Sequence, residues 1–245
     1  MSMLVMKFGG TSVGSAEALG QAAGIVEEQA AAGYRLVVVV SAMSGVTDAL
    51  IRGAITAAAG DKETYRAQVR DLRTRHYGVV DALFAGNGEQ ADLLAAVDAH
   101  LDEFAAFCHS VHVLGEVTPR AMDAITSLGE RINARILAAL LRARGTSSQA
   151  VEATDLIVTD GTFQDAVPLL EPSRARSVAR LGPLLEAGTV PVVTGFIGAT
   201  EAGVTTTLGR GGSDFSASIL GVSLDADEVW IWTDVDGVMS ADPRL

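Results

Sequence analysis

The sequence predicts an α/β protein: a three-layer α/β/α sandwich with a mainly parallel central sheet and a helical insertion. Three observations carry this expectation. Four short apolar runs rich in Val and Ile are too continuous to alternate, and so read as strands buried on both faces, as in a parallel sheet covered by helices. Segments with helical spacing lie between them, and strand, helix and strand in succession imply right-handed crossovers. The composition agrees, because 49% hydrophobic but only 5% aromatic residues, with 26 Gly among 245, suit alternating strands and helices better than an aromatic-rich β-sandwich.

Each element follows in order. "LVMKF" (residues 4–8) is the first strand. Residues 15–32 place Leu19, Ala22, Ala23, Val26 and Ala30 near helical spacing, and Gly33 is a natural stop. "RLVVVVSA" (35–42) is the second strand. Residues 61–115 are charged, Ala-rich and strand-poor: "DKETYRAQVRDLRTRHYGVV" reads as an amphipathic helix and residues 90–112 as another, together a helical insertion. "TPRAMDAITSLGERINARILAALLRARG" reads as helix from an N-cap at Thr118 and Pro119 at N1 to a stop at Gly145, with an Ile132, Ile136 and Leu140 stripe. "VPVVTGF" (190–196) is a strand, "GFIGATEAGVTTTLG" a β-hairpin turning near Ala202 and Gly203, and "EVWIWTD" (228–234) the last strand.

Charge and cysteine content exclude several classes. A formal charge of -12 with 18 scattered basic residues gives no sequence-independent grip on nucleic acid, since phosphate neutralisation needs clustered Lys and Arg. Acidic substrates must then be met by local positive charge. The single cysteine, Cys108, makes no internal disulfide and fits a reducing compartment. There is no signal-peptide pattern and no run approaching the ~18 apolar residues of a membrane span, so a cytoplasmic location and no membrane partner are expected. Cys108, His109 and His112 fall short of a zinc ligand set and read as packing or surface residues. No protein-held metal is expected; Mg²⁺ arriving with a nucleotide would be held largely by phosphates and water.

The residues that carry chemistry fall at strand ends. In a parallel α/β sheet ligands gather there, where following helices present free N–H groups. The four loops are "KFGGTSVGS", "SAMSGVTD", "LGRGGSD" and "TDVDGV". In the first, Gly9 and Gly10 either bare backbone N–H groups to nest a phosphate beside Lys7, or merely turn the chain while Lys7 snorkels from its strand. In the third, Arg210 between glycines reads as a fork for a carboxylate, Ser213 as a helix N-cap and Asp214 as a first-turn acid. Glu130 in "SLGER" sits roughly opposite the apolar stripe, so helical geometry alone would let it be a solvated charge.

With these loops read, the sequence resembles aspartate kinase of the amino acid kinase family. The likeness rests on "KFGGTSV" (7–13), "SAMSGVTDAL" (41–50), "SLGER" (127–131), "VTGFIG" (193–198), "TTTLGRGGSD" (205–214) and "WTDVDGVMSADPR" (232–244), in the family's order and over nearly the whole chain. It implies the amino acid kinase fold, and ATP-dependent, Mg²⁺-assisted phosphorylation of the L-aspartate side-chain carboxylate to 4-phospho-L-aspartate, the entry to lysine, threonine, methionine and diaminopimelate synthesis. By position it implies that Lys7, with Gly9 and Gly10 beside it, contacts the transferring phosphoryl group and that Asp214 organises the cationic groups. Ser12, Thr47 and Ser213 would shape the aspartate and phosphate pocket, Glu130 would pair with the substrate ammonium, Arg210 with its α-carboxylate, and Phe196 would line the site. Thr233, Asp234, Met239 and Arg244 fall where the family binds nucleotide. The resemblance further implies a catalytic domain over residues 1–245 that is incomplete at its C-terminal end and has no regulatory ACT domain. A homo-oligomer stays open. Two other readings remain: a family member acting on a different carboxylate, and a non-catalytic fragment that binds a ligand or partner.

Overall fold

Strand β1 (Met3–Phe8) is buried at every one of its positions, which places it at the centre of a sheet. It pairs in parallel with β2 (Arg35–Val40) on one side and with β8 (Glu228–Trp232) on the other. Adding β3 (Ser148–Val151) and β5 (Val190–Thr194) gives the order β3-β5-β2-β1-β8, parallel throughout. The structure, a computed structural model, describes residues 2–232. A small second sheet joins β4 (Val158–Thr159) to the antiparallel hairpin of β6 (Ile197–Thr200) and β7 (Thr205–Thr207). The hairpin turns where the sequence places it, through Gly203 at φ 79°.

Strand side chains alternate between faces, and the two faces build two cores. Leu4, Met6, Phe8, Leu36, Val38 and Val40 pack under α1 (Ala16–Ala31), α2 (Val46–Ala58) and α6 (Leu128–Ala143), beyond which stack α3 (Lys62–Phe84) and α4 (Gln90–Leu114). Met3, Val5, Val37 and Val39 pack under α7 (Leu170–Glu186) and α8 (Gly212–Ser223). Lys7 follows the odd register and so points toward α8. Fully burying each of these apolar side chains is worth ~1.5–3 kcal/mol, so this register is strongly specified.

The helix signals translate directly. Ser15 caps α1 by accepting from the Ala18 N–H, and Thr118 caps α5 (Pro119–Thr126) by accepting from Ala121. The stretch 118–145 nevertheless forms two helices, α5 and α6, divided at Ser127. One other expectation needs correction. Strand β8 is not buried on both faces: among the described residues it is the edge of the sheet, with Ile231 43% exposed. Its Val and Ile content reports strand propensity, which does not distinguish an edge from a centre. Strand β3, "SQAV", carries too little apolar signal to be read, yet it closes the opposite edge beside β5.

Candidate active site

The carboxyl ends of β1 and β2, the start of α6 and the loop before α8 surround a cleft of about 380 Å³. Lys7, Thr47, Glu130, Phe196, Arg210 and Asp214 all line it, so residues from distant parts of the chain meet at one place. Three of the four strand-end loops therefore converge. The fourth, with Thr233, Asp234, Met239 and Arg244, lies outside the described residues.

Lys7 is not a strand lysine reaching to solvent. Its side chain is 8% exposed and its Nζ lies 2.6 Å from Oδ1 of Asp214, whose side chain is 48% exposed. Asp214 is held there by its place in the first turn of α8. The ammonium is thus delivered from the core and the carboxylate from the rim, which leaves a cation aimed into the cleft with one face tethered.

Glu130 is 3% exposed, and the solvated-charge alternative is excluded. Its Oε1 accepts from the Ala42 N–H at 3.1 Å, while among the described residues Oε2 has no hydrogen-bond partner. Burial pushes its carboxyl up to about 8, with the Ala42 bond pulling the other way. The helical wheel fails here because α6 is sandwiched between the sheet and the outer helices, so twelve of its sixteen residues are buried. One turn on, Asn133 Nδ2 donates to the Ser41 carbonyl at 2.7 Å, so α6 grips the loop after β2 at two points.

The glycines in this site serve close approach between chain segments. A Cβ at Gly10 would stand 3.0 Å from the Ala42 carbonyl oxygen, and one at Gly129 would stand 2.7 Å from the Ala42 Cβ. The N–H of Gly9 is not bared for a phosphate: it donates to the Trp232 carbonyl at 2.9 Å, which corrects the nest reading for that residue. Ser12 does not line the cleft either; its hydroxyl approaches the Trp232 carbonyl at 3.5 Å. Ser213 is not the N-cap of α8. That position is Gly211, at φ 74°, and Ser213 lies within the first turn, on the wall of the cleft.

Two helix N-termini open on the cleft, those of α2 after Gly45 and of α8 after Gly211. With Lys7 and the exposed Arg210 between glycines at φ 72° and 74°, they make the cleft favourable to anions in an otherwise acidic protein. Phe196 sits at φ 70°, unusual for a bulky residue. It is pinned by its N–H to Ser216 Oγ at 2.9 Å and by the Leu208 N–H to its carbonyl at 2.9 Å. Such a held outlier on a cleft wall is typical of ligand sites.

One residue that the sequence reading missed ties the site to the outer helices. Arg75 of α3 donates Nη1 to the Ser44 carbonyl at 2.7 Å and Nη2 to the Gly14 carbonyl at 3.1 Å, joining the loops after β1 and β2. No local pattern marks it, because its partners lie 31 and 61 residues away. Arg75→Ala is expected to lower stability by ~1–3 kcal/mol, a Tm drop of several degrees by calorimetry. An unchanged Tm would show that the two loops hold their places without it.

Comparisons with known proteins show the family to which the chain belongs. The sequence profile of the amino acid kinase family matches residues 2–245. The aspartokinase of Schizosaccharomyces pombe is 33% identical over 251 residues, spanning 98% of this chain and 47% of that protein. The aspartokinase of Chlamydia muridarum is 34% identical, spanning 99% of this chain and 50% of that protein. The structure of E. coli aspartokinase III in complex with aspartate and ADP superposes with a TM-score of 0.87 at 30% identity, over 99% of this chain and 51% of that one. The chain thus spans about half the length of the curated relatives it matches. With its profile matched across residues 2–245 and its strand-end loops gathered on one cleft, this chain belongs to the amino acid kinase family.

Proposed function

We propose that this chain catalyses the ATP-dependent phosphorylation of the side-chain carboxylate of L-aspartate to 4-phospho-L-aspartate, feeding lysine, threonine and methionine synthesis. One observation carries the reading: Lys7, Glu130 and Arg210 face a single cleft between two helix N-termini. In this reading Glu130, with an unpartnered oxygen, takes the substrate ammonium, and Arg210 takes the α-carboxylate as a planar fork. The side-chain carboxylate then lies toward Lys7.

A carboxylate is already an adequate nucleophile, so no general base is needed. Its oxygen attacks the γ-phosphorus, the bond to the β,γ-bridging oxygen breaks, and ADP leaves with that electron pair. The protein's task is alignment and neutralisation of charge. Lys7 holds positive charge at the transferring oxygens, Asp214 fixes the ammonium in place, and the N-termini of α2 and α8 receive phosphate oxygens. Thr47, Ser213 and Phe196 wall the pocket. Among the described residues no three His, Cys, Asp or Glu side chains form a metal cluster, so Mg²⁺ would rest on Asp48 or Asp214 together with phosphates and water. When bound it neutralises phosphate charge. No described helix is long and apolar enough to cross a membrane.

A coupled ADP-release assay with aspartate, glutamate and UMP, run beside a nucleotide titration, tests the proposal. Aspartate-dependent ADP release is expected, with little from glutamate or UMP. Release with another substrate would reassign the acceptor. Nucleotide binding without turnover on any of them would make this chain a binding module.

A further inference from the structure

Beneath the Arg210 loop lies a buried carboxylate to which the reaction above gives no part. Asp123, on α5, is 1% exposed. Its Oδ2 accepts from the backbone N–H of Gln164 and of Thr207, both at 3.0 Å, and its Oδ1 accepts from Thr207 Oγ1 at 2.9 Å. A buried carboxylate with three donors from two distant segments is a designed junction, because leaving such a group unsatisfied is expensive.

The two segments it holds are the ones that seat Arg210. Thr207 ends β7 three residues before Arg210, and the next residue, Leu208, donates to the carbonyl of Phe196 on the cleft wall at 2.9 Å. Gln164 adopts φ 70°, and its neighbour Asp165 packs so closely over Gly209 that a Cβ there would stand 2.5 Å from the Asp165 Oδ1. The Ala166 N–H donates to the Thr207 carbonyl at 2.9 Å and completes the seat. At its other end α5 runs through Ser127 into α6, which begins at Leu128 and carries Glu130 in its first turn.

We propose that Asp123 is a positioning residue: it ties the helix pair that carries Glu130 to the loop that carries Arg210, and so sets the spacing of the clamp on the substrate's α-amino acid head group. This rests on the reading of Glu130 and Arg210 as the ammonium and carboxylate contacts. Asp123 does not line the cleft. It acts through Arg210, where a displacement of ~1 Å is enough to lose most of the benefit of alignment.

The test is equilibrium binding of L-aspartate and, separately, of ADP to this chain by titration calorimetry, with Tm recorded for each variant. Asp123→Asn keeps the shape but offers only one acceptor oxygen. It is expected to weaken aspartate about tenfold or more while ADP stays within about twofold. Thr207→Ser, which keeps both donors, should bind as the parent does, and Thr207→Ala should weaken aspartate about threefold. In an Arg210→Ala background, Asp123→Asn should add less than about twofold, because the two residues act as one unit. Parent-like aspartate affinity in Asp123→Asn, or equal weakening of aspartate and ADP with a fallen Tm, overturns the proposal. Should Asp123→Asn not fold, an unchanged aspartate affinity in Thr207→Ala overturns it instead. A parent chain that binds ADP but no aspartate would sink the reading of the cleft itself. A parent that binds both, with indifferent variants, would sink the role of Asp123 alone.

Discussion

Lys7→Ala is expected to lower kcat for aspartate phosphorylation by ~10²–10³-fold or more, the usual loss when a group aimed at developing charge is removed. The far-UV circular dichroism should not change, because β1 retains its other buried positions and its pairing on both sides. The affinity for aspartate should change little, since the head group is assigned to Glu130 and Arg210. Loss of the ammonium frees Asp214, but its side chain is 48% exposed and water can take the vacated contact. Lys7→Arg is expected to fall well below the parent too, because a planar guanidinium does not reproduce a compact charge in a space sized for Nζ. The measurement is steady-state kinetics on each variant beside its melting curve. A Lys7→Ala protein with near-normal kcat would remove Lys7 from the chemistry.

The second large effect concerns Glu130 and pH. Its carboxyl moves from an ordinary 4.5 to about 8 in the folded protein because it is fully desolvated. Between those values the folded chain keeps a proton that the unfolded chain has released. The unfolded state therefore binds fewer protons, and stability falls as pH rises from about 4.5 through about 8, levelling off above. The total change is of the order of a few kcal/mol. Glu130→Gln, neutral throughout, should flatten this slope and be the more stable protein at pH 8, while losing aspartate binding. Parallel melting curves of the two proteins across this range measure it; a stability difference that does not vary with pH would contradict the burial argument. Binding of aspartate should also release a proton from Glu130 below pH 8, so apparent affinity should rise with pH until that point.

Much of this was legible from short stretches. The apolar runs at 4–8, 35–42 and 190–196 are strands because a parallel sheet covered on both faces admits little else. Ser15, Thr118 and Pro119 mark helix starts through a local hydrogen bond or a preset φ, and each holds. Strand β8 shows the limit of that logic. Its side chains match those of a central strand, and only its place among the described strands makes it an edge. Likewise "SQAV" becomes a strand because β5 offers it an edge, not because four weakly apolar residues ask for one.

The candidate site divides the same way. Glycines beside Lys7 and Arg210 could be picked out as places where the backbone must come close to something. What they come close to proved to be other segments of the chain, for Gly10 the loop at Ala42 and for Gly209 the side chain of Asp165. Gly9 had the right residue type for a phosphate nest, yet its N–H is already taken by Trp232, a partner no window of sequence contains. Ser213 looked like a cap because serine often caps, but Gly211 reaches the left-handed conformation that begins α8 two residues earlier.

By itself, then, the sequence determined which segments become strands and helices and which loops carry the reactive residue types, since backbone preference and apolar period act over a few neighbouring residues. Only the tertiary structure decided that Lys7 lies 2.6 Å from Asp214, that Glu130 is buried with an unsatisfied oxygen, and that Asp123 joins α5 to the Arg210 loop. Those facts depend on burial and on hydrogen bonds between groups 84 to 207 residues apart, and desolvation is a property of everything packed around a side chain, not of the residues beside it.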